Sequence, residues 1–151
     1  MRDTQKQRVY SSELRGGRTF QSVGEMQDYC DRLTESAWWR KNVRRPSRVM
    51  VHDGRGRRSA NGSRDLWGIG HVKMPKWART ETTLLHEITH TIAPNYEHGP
   101  EYAGIYLTLL RRQLGHDFAK QQMQAFRDHR SENGRAAPVD WKLPTWYPKA
   151  R

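Results

Sequence analysis

Apolar residues in the first third of the chain recur every three or four positions, the period of a helix with one buried face. The recurring residues are Val23, Met26, Cys30, Leu33 and Ala37. This spacing predicts an amphipathic helix over residues 22–41. It also places the single cysteine on the buried stripe, where a thiol packs as a small apolar group and does not act as a nucleophile.

Segments with the composition of β-strands lie on both sides of that helix. Residues 7–13 have weak β character and predict a first strand. Residues 48–53 and 66–74 predict two further strands. The segment between these two is rich in glycine, arginine, serine and asparagine, and therefore predicts a flexible loop.

The second half of the chain has the pattern of successive helices. Helical spacing of apolar residues predicts a second helix over 80–92, with Thr80 as its N-cap. A third helix is predicted from Gly99-Pro100 to Gly115, and a fourth over 117–129. The last twenty residues combine three prolines with aromatic side chains. We therefore expect a single domain over residues 1–131 and a C-terminal tail over 132–151.

The length and composition narrow the class of protein. A chain of 151 residues has the length of one domain. No apolar run approaches the ~18 residues of a membrane span, and the first residues are polar where a secretion signal would be apolar. We expect a soluble, cytoplasmic protein with no membrane partner. With Cys30 as the only cysteine, any bound metal must be held by histidine and carboxylate.

Positive charge is concentrated in one segment, residues 40–64. The chain carries a net charge of +11, and this segment has nine basic residues and one acid, a net of +8. Such a segment attracts polyanions, so nucleic acid is a candidate partner; the alternative is a solvated loop. The candidate contacts are Arg44, Arg45, Arg55, Arg57 and Arg58.

The predicted second helix contains the sequence His86-Glu87-Ile88-Thr89-His90. Two histidines four positions apart lie on one helical face and can hold the same zinc ion. A glutamate next to the first of them is placed to take a proton from water at the metal. The pattern therefore predicts a Zn²⁺ site with His86 and His90 as ligands and Glu87 as the catalytic base.

A catalytic zinc site usually has three protein ligands, so a third one is expected. His98 is the leading candidate because the turn after the second helix lets the chain fold back. Glu97 and Glu101 are alternatives. The metzincin spacing would require glycine and histidine at the positions of Ala93 and Tyr96, which disfavours that class.

The segments ETTLLHEITHTI and EHGPEYAGIYLTLL together resemble the SprT-like zinc metalloproteases, the family that includes Spartan. The chain also resembles small metallohydrolases of actinobacteria and their phages. The resemblance implies a zincin-like α+β fold, in which a small mixed or antiparallel sheet packs on the HExxH helix with further helices around it. It also implies zinc held by His86, His90 and His98, with Glu87 as general base.

The resulting hypothesis is a zinc-dependent metallopeptidase that hydrolyses peptide bonds, with DNA-associated proteins as one class of substrate. We expect its peptide substrate to pair along an exposed strand near residues 68–72. The alternatives are a basic nucleic-acid-binding protein with a structural or idle zinc site, and a hydrolase of non-peptide amides. The candidates for stabilising the oxyanion are Tyr96, Tyr102, Tyr106 and His71. The remaining histidines are expected on strands or at the surface; they are His52, His71, His116 and His129.

Overall fold

The computed structural model describes residues 13–94 and 99–133, and for 129–133 only the backbone. These residues form an α+β fold with five α-helices and a three-stranded mixed sheet. They group into two compact units, one of residues 16–94 and one of residues 13–15 with 99–133. The predicted strand over 7–13 lies outside the described residues except for Glu13, and so does the predicted tail over 132–151 except for its first two residues, which belong to the last helix. Among the described helices, none combines the length and apolarity needed to cross a membrane.

The first predicted helix is two helices, α1 (Val23–Glu35) and α2 (Ala37–Asn42). Ser36 separates them because its hydroxyl donates to the carbonyl of Leu33 and accepts from the amide of Trp39. A serine that bonds to nearby backbone groups in this way competes with the helical ladder. Cys30 is fully buried on α1, and burial raises the pKa of its thiol, so the predicted inert role is consistent with its surroundings.

The sheet contains β1 (Val49–Asp53), β2 (Asn61–Arg64) and β3 (Gly70–Met74) in the order β1-β3-β2. Strand β1 is parallel to β3, and β2 is antiparallel to it. Two expectations were therefore wrong. The connection predicted to be a flexible loop contains β2, and the strand predicted near residues 68–72 for peptide pairing is the central strand, whose two edges are already hydrogen-bonded.

Residues 66–69, predicted as the start of a strand, form a turn instead. The Oδ1 atom of Asp65 accepts hydrogen bonds from the backbone amides of Trp67 and Ile69. Gly68 has a φ of 79°, a left-handed conformation that suits glycine. The turn leaves Leu66 and Trp67 exposed, at 98% and 84% of their surface.

Helix α3 (Glu81–Ile92) matches the predicted second helix and packs against one face of the sheet. Two glycines allow the close approach. A Cβ atom at Gly62 would collide with the backbone carbonyl of Glu87, and one at Gly70 would lie 2.9 Å from the Cβ of Thr91. The same sheet face contributes Val72, which is fully buried. The contact between α3 and the sheet thus depends on two glycines that have no side chain. The apolar periodicity of the sequence does not reveal this requirement.

The second unit contains α4 (Pro100–Leu114) and α5 (His116–Asn133), which confirm the third and fourth predicted helices. Gly115 ends α4 with a φ of 94°. The rings of Tyr102 and Tyr106 stack with their centroids 5.8 Å apart on the buried side of α4. From α5, the buried side chain of Gln122 accepts a hydrogen bond from the amide of Leu14.

Candidate metal centre

The two histidines of the HExxH sequence lie one helical turn apart near the middle of α3. Their Nε2 atoms are 3.2 Å apart. His86 is fully buried and His90 is half-buried. The ring nitrogens of the pair therefore meet at one point on the helix face, as the spacing predicts.

Glu87 adds a carboxylate beside the pair. Its side chain is 1% exposed, and its Oε1 atom lies 3.5 Å from Nε2 of His86. Oxygen and nitrogen atoms of His86, Glu87 and His90 all lie within 4.8 Å of one another, so the three residues form a group able to hold a metal ion. A carboxylate in this position can also exchange a proton with a molecule bound next to the histidines.

The separation of the histidines fits zinc. Two nitrogens at about 2.0–2.1 Å from one tetrahedral zinc ion are about 3.3–3.4 Å apart. The observed 3.2 Å between the Nε2 atoms is within a few tenths of an ångström of that value. Imidazole nitrogens are also among the ligands that zinc prefers.

Charged residues fix the first turn and the last turn of the helix that carries the site. In the first turn, Glu81 is buried and accepts hydrogen bonds from the hydroxyl of Tyr29 and the amide of Arg18. At the other end, the guanidinium of Arg64 donates to the carbonyls of Thr91 and Ile92. A negative charge at the N-terminus and a positive one at the C-terminus complement the helix dipole. The histidines therefore lie on a helix that is held at both ends.

The pKa of Arg64 is lowered, first by burial and then by the nearby positive charge of Arg45. The side chain nevertheless stays charged at neutral pH, because an arginine pKa lies far above 7. The sequence does not indicate this capping contact, since Arg64 is one of many arginines in the basic segment. Only the pairing of β2 with β3 brings it to the end of α3.

His71, a candidate for stabilising the oxyanion, does not face His86 and His90 on α3. Side chains alternate between the two faces of a strand. On β3, Gly70 and Val72 face α3, so His71 lies on the opposite face, where its Nε2 atom is 2.8 Å from Asp65. His52 and His71 lie on strands, as expected, and His116 is exposed at the start of α5.

The other candidate ligands and oxyanion groups stay predictions. Tyr96, Glu97 and His98 lie outside the described residues, as does the side chain of His129. Glu101 is in the first turn of α4, in the unit that does not contain α3. Tyr102 and Tyr106 belong to that same unit.

The candidate nucleic-acid contacts are all at the surface. Arg44 and Arg45 follow α2, and the other three lie on the connection between β1 and β2. All five side chains are exposed. Within the described part of the chain, none of them forms a salt bridge. Their charges are therefore available to solvent or to an anionic partner.

Comparison of the chain with protein-family models, with curated proteins and with solved structures finds no match. The functional argument consequently rests on the geometry of residues 16–94 and on the sequence pattern itself.

Proposed function

We propose that the protein is a zinc-dependent metallohydrolase that cleaves peptide bonds, with a zincin-like active site on α3. The observation that carries this proposal is the convergence of two histidine Nε2 atoms, 3.2 Å apart, beside the buried carboxylate of Glu87. His98 is proposed as the third ligand. The resemblance of the sequence to the SprT-like metalloproteases agrees with this assignment.

When bound by these residues, zinc supplies Lewis acidity, which lowers the pKa of a water molecule and polarises a carbonyl group. The protein's own contribution is the position of Glu87. Its buried carboxylate accepts the proton of the attacking water and later delivers it to the leaving nitrogen. His86 and His90 keep the reacting groups within reach of that carboxylate.

Strand β2 is the place where an extended peptide is best accommodated. Like β1, it is an edge strand of the described sheet and pairs on one side only, with β3. Gly62 on β2 touches the backbone of Glu87, so a peptide added along the other edge would run next to the catalytic helix. Addition of a strand to a sheet edge is a common mode of peptide recognition.

The test is the substitution Glu87→Gln, with Glu35→Gln as the control. Glutamine keeps the size of the side chain but does not act as a base, so we expect turnover of an unstructured protein substrate to fall about 10²- to 10⁴-fold with zinc content unchanged. Glu35 is exposed at the end of α1, and its substitution should leave turnover unchanged. Equal activity of the two variants would remove Glu87 from the mechanism. Hydrolysis of a small amide but of no peptide would favour the non-peptide alternative.

A second candidate function is nucleic-acid binding, and the exposure of the five arginines favours it. The test is a triple variant in which Arg55, Arg57 and Arg58 are changed to Gln. We expect weaker binding of duplex DNA, with the slope of log K against log salt reduced by about 3. A control with the same loss of charge changes Arg32, Lys76 and Lys120, which are exposed elsewhere. Equal slopes in the two variants would contradict a specific role for the loop.

A further inference from the structure

A second pair of histidines lies on the face of the sheet that is turned away from α3. His52 is on β1 and His71 is on β3. His71 is paired with Met50, and His52 follows Met50 by two residues, so both histidines point to the same side of the sheet. Nε2 of His52 is 2.9 Å from Nδ1 of His71. His86 and His90 take no part in this contact.

A carboxylate determines which nitrogen of His71 is available. Oδ2 of Asp65 lies 2.8 Å from Nε2 of His71. An ionised carboxylate only accepts hydrogen bonds, so this contact places the proton of His71 on Nε2. Nδ1 of His71 then carries a lone pair directed at His52. In metal sites, histidine ligands are commonly oriented by a carboxylate at the other ring nitrogen in this way.

We propose that His52 and His71 form a second metal site, which binds a divalent transition metal and prefers Cu²⁺. Two nitrogens bound at a right angle with bonds of about 2.0 Å are about 2.8 Å apart. The two nitrogens are 2.9 Å apart without metal, so the strands already hold both rings at nearly the separation that square-planar Cu²⁺ requires. In the absence of metal, the same contact is a hydrogen bond from Nε2 of His52 to Nδ1 of His71. Because His52 is exposed, its ring can rotate to direct its lone pair at the metal.

The surroundings of the pair favour a metal with high affinity for neutral imidazole. Metals bind the neutral form of imidazole, so a bound metal must displace any proton from the ligand nitrogens of His52 and His71. The positive charge of Lys73 also repels a cation, which penalises all divalent ions alike. Among first-row metals, Cu²⁺ has the highest affinity for nitrogen ligands and best overcomes this penalty.

The experiment is a calorimetric titration of the full-length protein with Cu²⁺ after one equivalent of Zn²⁺ has been added. We compare the wild type with His52→Ala and with the control His116→Ala, which removes an exposed histidine from α5. We expect His52→Ala to lose one bound copper ion per chain and His116→Ala to keep it. Identical titrations of the two variants would overturn the proposal.

Two further variants test the geometry of the site. Asp65→Asn keeps an oxygen for the backbone amides of the turn but loses the acceptor for His71, and we expect about 10- to 100-fold weaker copper binding. Unchanged affinity would contradict the orienting role of Asp65. Lys73→Gln should tighten copper binding. Electron paramagnetic resonance of bound Cu²⁺ should show two imidazole nitrogens in the wild type, and this signal should be absent from His52→Ala. One imidazole in the wild type would contradict the paired site.

Discussion

The two histidine pairs of residues 16–94 differ in how the chain brings them together. His86 and His90 are four residues apart on one helix, lie against the core and have a glutamate beside them. His52 and His71 are nineteen residues apart on two parallel strands and lie at the surface, with an aspartate behind one ring. The first pair can be recognised from local spacing, whereas the second depends on the register of a sheet. The comparison also separates a pair that lies beside a buried carboxylate from a pair that lies at the surface.

The largest expected effect concerns the packing of β2 against α3, the helix that carries His86 and His90. Gly62→Val places a branched side chain against the backbone of Glu87, which cannot move without shifting α3. We expect a loss of about 3 kcal/mol in the free energy of unfolding, together with reduced turnover. Denaturation by urea, monitored by circular dichroism, measures the first quantity.

Gly24→Ala serves as the control for that substitution, since a Cβ atom at Gly24 meets only ordinary contacts. Alanine in helix α1 should stabilise the protein by about 0.5–1 kcal/mol. If Gly62→Val were as stable as Gly24→Ala, the close contact between β2 and α3 would be wrong.

Zinc bound by His86 and His90 should raise the thermal stability of the protein. Zinc at 100 times its dissociation constant stabilises a protein by about 2.7 kcal/mol when only the folded state binds it. We expect a chelator to lower the Tm of the wild type accordingly and to have no effect on the Tm of His90→Ala. A chelator effect of equal size in both proteins would place the stabilising metal elsewhere.

The capping of α3 by Arg64 should have a smaller effect. Arg64→Ala removes two hydrogen bonds from a charged donor to the last carbonyls of the helix, and we expect a loss of about 1–2 kcal/mol. Arg48→Ala removes an exposed arginine just before β1 and should change stability by less than about 0.5 kcal/mol. Equal stability of the two variants, measured in urea, would show that the cap contributes nothing.

The smallest effect concerns the exposed pair and depends on pH. The pKa of Asp65 is lowered in the folded protein, chiefly by its hydrogen bond with His71. Its stabilising contribution is therefore complete above the pKa of the unfolded state and is lost as pH falls through the lower folded value. We expect Asp65→Asn to lower the Tm at pH 6 and to have a progressively smaller effect as the pH falls below 3.8, the usual pKa of the group. The control Asp28→Asn removes an exposed carboxylate from α1, away from His71; a parallel curve for both variants would contradict the coupling.

The helices could be predicted from the sequence because their information is local. Apolar spacing and the cap at Thr80 define α3, and Gly115 defines the end of α4. Ser36 was missed as a break because a serine inside an apolar period does not interrupt that period. The separation of one predicted helix into α1 and α2 therefore required the structure.

Strand β2 could not be predicted because Asn-Gly-Ser-Arg has no apolar alternation. It forms a strand through pairing with β3 and through the contact of Gly62 with α3, both of which are long-range. The cluster of Asp65, His52 and His71 was missed for the same reason. By contrast, the geometry of the His86 and His90 pair was predictable, since four residues of helix bring both ring nitrogens to one point.

The most direct test of the central claim is the zinc content of purified protein after dialysis, measured by elemental analysis in the wild type and in His90→Ala. We predict one zinc per chain in the wild type and loss of that zinc in the variant, because a buried pair with one ligand removed no longer holds the ion. Absence of zinc from the wild type, or full retention in His90→Ala, would contradict the assignment of the α3 pair as the metal centre.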